Sequence, residues 1–104
     1  MKKYTIVISD RAIEHLRSIY LYYLRIASPE IARRIHADIL KKIMSLSFFL
    51  NRFKEIVEGK GVRMMSIYRL VVAYTVLEDF QTVIIHFVVS GFMDINQFIG
   101  SIKR

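Results

Sequence analysis

The sequence lacks cysteine and tryptophan altogether, and its 104 residues hold one proline and four glycines. The absence of cysteine excludes disulfides, thiol nucleophiles, zinc fingers and iron–sulfur clusters, and it suits a reducing compartment. Because proline and glycine are rare and no repeat or low-complexity tract occurs, no linker divides the chain. We predict a single domain that spans residues 1–104.

Acidic residues are also scarce, with 9 Asp and Glu against 16 Lys and Arg, which gives a net charge of +7. Such a chain attracts acidic partners, which include nucleic acid, acidic protein segments and anionic lipid, and charge alone does not choose among them. Apolar residues, by contrast, make up 54% of the sequence, and charged residues make up 24%. That balance excludes an intrinsically disordered chain and predicts a packed core.

Long hydrophobic runs are missing as well. The longest, around Val83–Val89, contains His86 and is well short of the roughly 18 residues that a membrane-spanning helix needs. The apolar stretch after Lys2 and Lys3 ends at Ile8, which is too short for the core of a secretory signal. These absences predict a cytoplasmic protein that does not contact a membrane.

The beginning of the chain predicts a strand followed by a helix. Over residues 3–9, the side chains of Tyr4, Ile6 and Ile8 alternate with those of Thr5 and Val7, which is typical of a strand. From Arg11 to about Ala27, apolar residues recur every three or four positions, which is typical of one helix face. Ser9 or Asp10 supplies the side-chain acceptor that caps this helix.

A second helix is predicted directly after the first. Ser28 has the character of an N-cap, Pro29 suits the first helical position, and Glu30 favours the positive end of the helix dipole. The apolar stripe that follows continues to about Leu50. Because only a few residues connect the two helices, they are expected to form an antiparallel hairpin.

Three segments rich in β-branched and aromatic residues predict strands in the second half of the chain. They are Val62–Ile67, Leu70–Leu77 and Thr82–Val89. The gaps between them have the length of hairpin turns, so an antiparallel meander is expected. The last two strands are apolar on both faces, which places them at the centre of the sheet.

The expected fold class is α+β. An N-terminal strand, a long antiparallel helical hairpin and the three-strand antiparallel meander are predicted to form one four-stranded antiparallel sheet with the hairpin on one face. Residues 51–61 are predicted to be a basic loop with a short strand at Ile56–Glu58. Residues 94–102 predict a short C-terminal helix capped by Asp94.

The sequence contains some, but not all, of the residue types that RNA cleavage needs. Attack by the 2′-hydroxyl needs a general base, a general acid and cations near the phosphate. The cations around the predicted loop and meander are Lys54, Lys60, Arg63 and Arg69. An ordinary histidine titrates near neutrality, which makes His86 a candidate, but strand alternation places it beside Ile84 and Val88 in a central strand, where a structural histidine is favoured. For Arg63, binding of a phosphate or carboxylate and a salt bridge to Glu58 or to the predicted C-terminal helix are equally open.

Aromatic side chains are more numerous than one small core needs. Tyr20 and Tyr23 belong to a cluster at the end of the first helix, and Phe48 and Phe49 end the second. For any single aromatic residue, core filling is the favoured interpretation. Taken together, the excess indicates a chain that another protein normally covers.

The order of these elements, together with specific residues, resembles the RelE/ParE superfamily of toxins from bacterial type II toxin–antitoxin systems. The matching segments are Tyr4, Ser9 with Ala12, Ile39 to Leu46, Gly61-Val62-Arg63, Tyr68-Arg69-Leu70-Val71-Val72-Ala73-Tyr74, and Thr82 to Val89. The long hairpin and the approach through Glu58-Gly59-Lys60 resemble the ParE branch more than the RelE branch. Of the His-Gly-x-Arg-Asp stretch frequent after the last strand in this family, Gly91 and Asp94 are kept, while Ser90 and Met93 replace the histidine and the arginine.

The resemblance implies a ParE-like toxin that arrests growth by inhibiting DNA gyrase without catalysing a reaction itself. A cognate antitoxin is expected to neutralise it and to provide its only contact with operator DNA, and no cofactor or metal is expected. The residues expected to contact a partner are Arg63, Lys60, Met93, Asp94, Tyr20 and Tyr23. One alternative is a RelE-like, ribosome-dependent mRNA endoribonuclease that uses Arg63, Arg69, Lys54 and His86. Another is an inactive relative that only binds its antitoxin or operator DNA.

Overall fold

The computed structural model describes residues 3–49, 55–57 and 61–90. The elements along them are β1 (Thr5–Ile8), α1 (Asp10–Ile26), α2 (Pro29–Met44), α3 (Leu46–Phe49), β2 (Glu55–Val57), β3 (Val62–Ile67), β4 (Leu70–Leu77) and β5 (Thr82–Ser90), with a 3₁₀ turn over Glu78–Phe80. The α+β class and the predicted strands of the meander are confirmed. The predicted C-terminal helix over residues 94–102 lies outside the described residues.

Both long helices begin at the predicted caps. The Ser9 hydroxyl accepts a hydrogen bond from the backbone N–H of Ala12 at 3.1 Å, and the Ser28 hydroxyl accepts one from Ile31 at 3.2 Å. Pro29 occupies the first turn of α2, where no intrahelical donor is needed. These contacts satisfy backbone groups that would otherwise have no partner inside the helix.

The helices form the predicted antiparallel hairpin. The ring of Tyr20 on α1 meets the ring of His36 on α2 edge to face, with the centroids 5.8 Å apart. These two residues lie at similar distances before and after the connection at Ala27 and Ser28, as an antiparallel pair requires.

The second helix ends earlier than predicted, at Met44 and not near Leu50. The Ser45 hydroxyl donates a hydrogen bond to the carbonyl oxygen of Lys42 at 2.6 Å. A serine that binds a carbonyl of the preceding turn competes with the regular helical pattern. The chain therefore turns at Ser45 before the short helix α3 begins.

The sheet is mixed, so the prediction that all four strands are antiparallel was wrong for the first of them. β1 runs parallel to β5, with Thr5 opposite Thr82 and Ile8 opposite Ile85, whereas β3, β4 and β5 pair antiparallel. The strand order is β1-β5-β4-β3-β2. Four principal strands form the sheet, and the three-residue β2 extends it at the β3 edge. Alternation shows which side chains share a face but not the direction of a strand, so the sequence could not reveal this pairing.

Strand β5 contains a bulge at His86. Ala73 lies opposite Phe87, while the next residue along β4, Tyr74, lies opposite Ile85. One residue of β4 therefore faces two residues of β5, and the strand regains its register only beyond the extra residue.

The bulge changes which side chains share a face. Val88 joins the core under the helices, whereas His86 forms a hydrogen bond with Thr75, whose side chain lies on the other face. The prediction that His86 and Val88 share a face was wrong, because alternation holds only along a regular strand.

The helices cover one face of the sheet and bury a core against it. Its fully or nearly buried members are Ala12, Leu16, Ile35, Ile39, Ile43, Leu46, Met65, Leu70, Val72, Tyr74, Val83, Ile85 and Val88. On the opposite face, five described side chains of the central strands are at most 7% exposed: Val71, Ala73, Thr75, Phe87 and Val89. The predicted central position of β4 and β5 is confirmed.

Candidate functional site

An open groove of about 540 Å³ lies between α1, the turn that joins β3 to β4, and the end of β5. The helix contributes His15, Ser18, Ile19, Tyr22 and Tyr23, and the sheet contributes Tyr68, Arg69, Leu70, Val88, Val89 and Ser90. A pocket of this size, lined mostly by apolar and aromatic groups with a few polar ones, is typical of a binding site.

The helical wall of the groove follows from the spacing along α1. His15, Ile19 and Tyr22 are separated by four and three residues, so they project from the same side of the helix. The rings of Tyr22 and Tyr23 meet edge to face with centroids 5.2 Å apart. The guanidinium of Arg25 lies 6.0 Å from the centroid of Tyr22. Tyr22 is nevertheless 48% exposed, which leaves an aromatic surface open to a partner.

The opposite wall contains an unusual turn. Tyr68 and Arg69 have φ angles of 52° and 64°, values that favour glycine or asparagine and cost bulky residues free energy. The Tyr68 hydroxyl donates a hydrogen bond to a carboxylate oxygen of Asp38 on α2. This hydrogen bond is the main cause that raises the pKa of the Tyr68 phenol. Backbone strain of this kind collects at functional sites, which supports a role for the groove.

His15 connects the floor of the groove to the sheet. The backbone N–H of Val88 donates a hydrogen bond to His15 Nδ1 at 3.1 Å. Since β1 ends opposite Ile85, the imidazole replaces the neighbouring strand as a partner for this N–H. An accepting Nδ1 requires a neutral ring with its proton on Nε2. Burial, followed by the charge of Arg11, lowers the pKa of His15.

We expect the free energy of unfolding to decrease as the pH falls below about 6.5, the ordinary pKa of histidine. The folded state lowers the pKa of His15, so the unfolded state binds more protons in this range, and the full stability is present only above it. Urea unfolding between about pH 5 and pH 8 measures the effect. The variant His15→Asn keeps an acceptor for the Val88 N–H but cannot titrate, so it should make the decrease shallower, while His86, whose pKa is also lowered, still contributes to it. A variant profile as steep as that of the wild type would contradict this role.

His86 is held on the other face of the sheet. Its Nε2 lies 2.7 Å from the Thr75 hydroxyl oxygen, and its carbonyl oxygen accepts hydrogen bonds from the Ser9 hydroxyl at 3.0 Å and from Arg11 Nε at 3.3 Å. Burial, followed by the charge of Arg11, lowers the pKa of His86. These contacts fasten the bulge to the start of α1, as a structural histidine would do.

The structure brings together two of the residues singled out from the sequence. Tyr23 and Arg69 both line the groove. Tyr20 is half-buried inside the hairpin. Arg63 is half-buried on β3 opposite Tyr74, which places it on the face that the helices cover. Lys54, Lys60, Met93 and Asp94 lie outside the described residues.

The described candidates for RNA cleavage are far apart. Arg63 and His86 project from opposite faces of the sheet. Arg69 precedes Leu70, which lies opposite Ser90, and Ser90 is four residues beyond His86, or about 13 Å along a strand. Groups that act on one phosphate must lie within hydrogen-bond reach of it. Arg63, Arg69 and His86 therefore do not form one cleavage site.

His15 and Tyr68 are among the groove residues that were not predicted to contact a partner. The spacing of His15 from Ile19 and Tyr22 was a usable signal, because it places all three on one helix face. For Tyr68 the sequence holds no such signal, since neither its left-handed backbone nor its contact with Asp38 follows from local pattern.

Metal ligands and membrane spans were also sought. Within residues 3–49, 55–57 and 61–90, no group of three or more His, Asp and Glu side chains is placed to hold a metal ion. No helix in this part of the chain is long and apolar enough to cross a membrane.

Sequence comparison identifies a family. A family model described as the ParE toxin of type II toxin–antitoxin systems, parDE, matches residues 6–95, which is most of the chain. Among curated proteins, no sequence matches this chain.

Solved structures share the fold. A chain from the chromosomal ParDE system of P. aeruginosa has a TM-score of 0.74 and 20% identity, with 85% of this chain and 96% of that chain covered. A chain from the RelBE2 toxin–antitoxin complex of Mycobacterium tuberculosis has a TM-score of 0.66 and 18% identity, with coverages of 86% and 93%. For a mutant of the E. coli toxin RelE in the free state, the values are 0.64 and 12%, with coverages of 94% and 92%.

Proposed function

This chain belongs to the ParE toxin family and is the toxin of a type II toxin–antitoxin system, and from that premise we propose that it arrests growth by inhibiting DNA gyrase and that a cognate antitoxin neutralises it. The family match supports the ParE branch. Similar folds occur in toxin–antitoxin complexes from Mycobacterium tuberculosis and E. coli, which supports an antitoxin as partner.

The observation that carries the gyrase proposal is the separation of Arg63, Arg69 and His86. A ribonuclease needs its base, its acid and its cations around one phosphate. Here Arg63 and His86 lie on opposite faces of the sheet, and Arg69 lies in the β3–β4 turn, away from His86 along the strands. This separation supports a toxin that acts by binding to its target.

The groove between α1 and the β3–β4 turn is our candidate for the antitoxin site. Its tyrosines offer apolar surface with polar tips, and Arg69 offers a fork of donors for a carboxylate. In a chain of net charge +7, an acidic segment with apolar anchors complements both features.

The gyrase proposal is tested with purified toxin in a DNA supercoiling assay at micromolar concentration. We expect inhibition of gyrase, and we expect the small protein encoded by the adjacent reading frame to reverse it. In cells, induction should cause filamentation and an SOS response. Intact supercoiling together with rapid cleavage of mRNA on ribosomes would contradict the proposal and favour a ribonuclease.

Replacing Arg69 by glycine is expected to strengthen the fold and weaken the antitoxin complex. Glycine adopts a φ of 64° without steric cost, so the free energy of unfolding should rise by about 1 kcal/mol. Loss of a charge-assisted hydrogen bond should weaken antitoxin binding about ten-fold or more. Thermal unfolding and calorimetric titration measure the two effects. The control is Arg17→Ala on α1, outside the groove, and equal affinities for the two variants would contradict the assignment.

A further inference from the structure

The sheet face opposite the helices is buried at one end and exposed at the other. At the buried end, Ala73 and Phe87 have no exposed surface. At the opposite end, Val7 is 45% exposed and Leu77 is 40% exposed. The exposed fraction of the side chains therefore increases from one end of this face to the other, and the end with Val7 and Leu77 remains available to a partner.

The exposed end carries several apolar side chains. Val7 lies opposite Ile84 on β5, and Leu77 lies opposite Thr82, two residues away on the same strand. The 3₁₀ turn follows directly after Leu77 and presents Phe80, whose side chain is 76% exposed. We name Val7, Leu77, Phe80 and Ile84 the turn patch.

The turn that carries Phe80 is held at several points. The Gln81 N–H donates to the Glu78 carbonyl oxygen at 3.1 Å, and the Thr82 hydroxyl donates to the Phe80 carbonyl oxygen at 2.9 Å. The Tyr4 hydroxyl donates to a carboxylate oxygen of Glu78 at 2.6 Å. An aromatic side chain on a fixed backbone loses less entropy when it binds than one on a mobile loop.

The 3₁₀ turn beside the turn patch carries charge opposite to that of the whole chain. Glu78 and Asp79 are exposed and adjacent to Phe80, whereas the chain carries a net charge of +7. A basic surface complements two carboxylates beside an aromatic anchor. The groove, with Arg69, favours an acidic segment, so the two surfaces suit partners of opposite charge.

We propose that the turn patch is the surface through which the toxin binds its cellular target, a protein with an apolar recess for Phe80 bordered by lysine or arginine side chains. The inference rests on the proposed function in that the chain is a toxin with a protein target. Enzymes that handle nucleic acid carry basic surfaces of this kind. The groove remains the antitoxin site, so the two partners are recognised by separate surfaces.

Three variants test the proposal: Phe80→Ala removes the anchor, Asp79→Lys reverses one charge, and Leu21→Ala removes a similarly exposed side chain from α1 as the control. Truncation of an aromatic anchor should raise the toxin concentration that half-inhibits gyrase about thirty-fold. The charge reversal should also raise it, and this effect should shrink at high salt. Leu21→Ala should match the wild type. Antitoxin affinity and melting temperature should be unchanged in all three.

Several results would overturn the proposal. One is full potency of Phe80→Ala, and another is loss of antitoxin binding in that variant with potency retained. A third is a wild-type dimer that Phe80→Ala converts to a monomer of equal potency, because the patch would then pair two copies of this chain. If the wild type spares gyrase yet arrests growth, and Phe80→Ala abolishes the arrest, the gyrase proposal fails while the target surface stands. A wild-type chain that arrests no growth would overturn both.

Discussion

Replacing Ile39 by alanine is expected to lower the free energy of unfolding by about 2–5 kcal/mol. Ile39 has no exposed surface and lies where α2 packs on the sheet. Truncation removes buried methyl groups and leaves a cavity that the surrounding side chains only partly fill. Small domains are stable by about 5–15 kcal/mol, so this single change removes a large part of the total. Urea unfolding with a fitted midpoint and slope measures it.

The matched control for Ile39 is Ile31→Ala on the same helix. Ile31 is 43% exposed, and a surface substitution is expected to change stability by no more than about 0.5 kcal/mol. The two variants lose the same atoms and differ only in burial. Losses of equal size would show that the predicted packing of α2 on the sheet is incorrect.

Replacing Phe87 by alanine is expected to cost about 3–5 kcal/mol. Phe87 has no exposed surface, although it lies on the sheet face away from the helices, and the guanidinium of Arg11 is 5.8 Å from its ring centroid. The loss therefore combines cavity formation with a cation–π contact. Thermal and urea unfolding measure the change, which tests whether this second face is a true core.

Phe80→Ala is the control for Phe87, because it removes the same side chain from a position that is 76% exposed. Its expected cost is no more than about 0.5 kcal/mol. Near-equal unfolding midpoints for the two variants would contradict the assignment of Phe87 to a buried layer. The same control shows that any loss of toxicity in Phe80→Ala does not arise from unfolding.

The elements of the fold were largely predictable because their signals are local. The strands Val62–Ile67 and Leu70–Leu77 have the predicted bounds, and Ser9 and Ser28 cap the helices. Side-chain alternation and a hydroxyl before an apolar stripe act within a few residues, so neighbouring sequence is sufficient. The end of α2 was missed because Ser45 binds a carbonyl of the previous turn, a choice that helical periodicity does not reveal.

The candidate site was only partly predictable. Tyr23 and Arg69 were singled out from the sequence for different reasons, and nothing in the pattern indicated that they line one groove. The left-handed backbone of Arg69 became visible only in the structure. Tyr23 and Arg69 are 46 positions apart in the sequence, so they line the same groove only after the helices have packed on the sheet.

The sequence by itself determined the α+β class, the hairpin and the meander, since each depends on interactions between residues close along the chain. Tertiary structure alone decided the parallel pairing of β1 with β5, the bulge at His86 and the joining of α1 to the β3–β4 turn in one groove. These features arise when segments that are distant in sequence compete for the same hydrogen bonds and the same buried surface. A local pattern indicates which side chains a segment must bury, but only the folded chain determines which other segment they pack against.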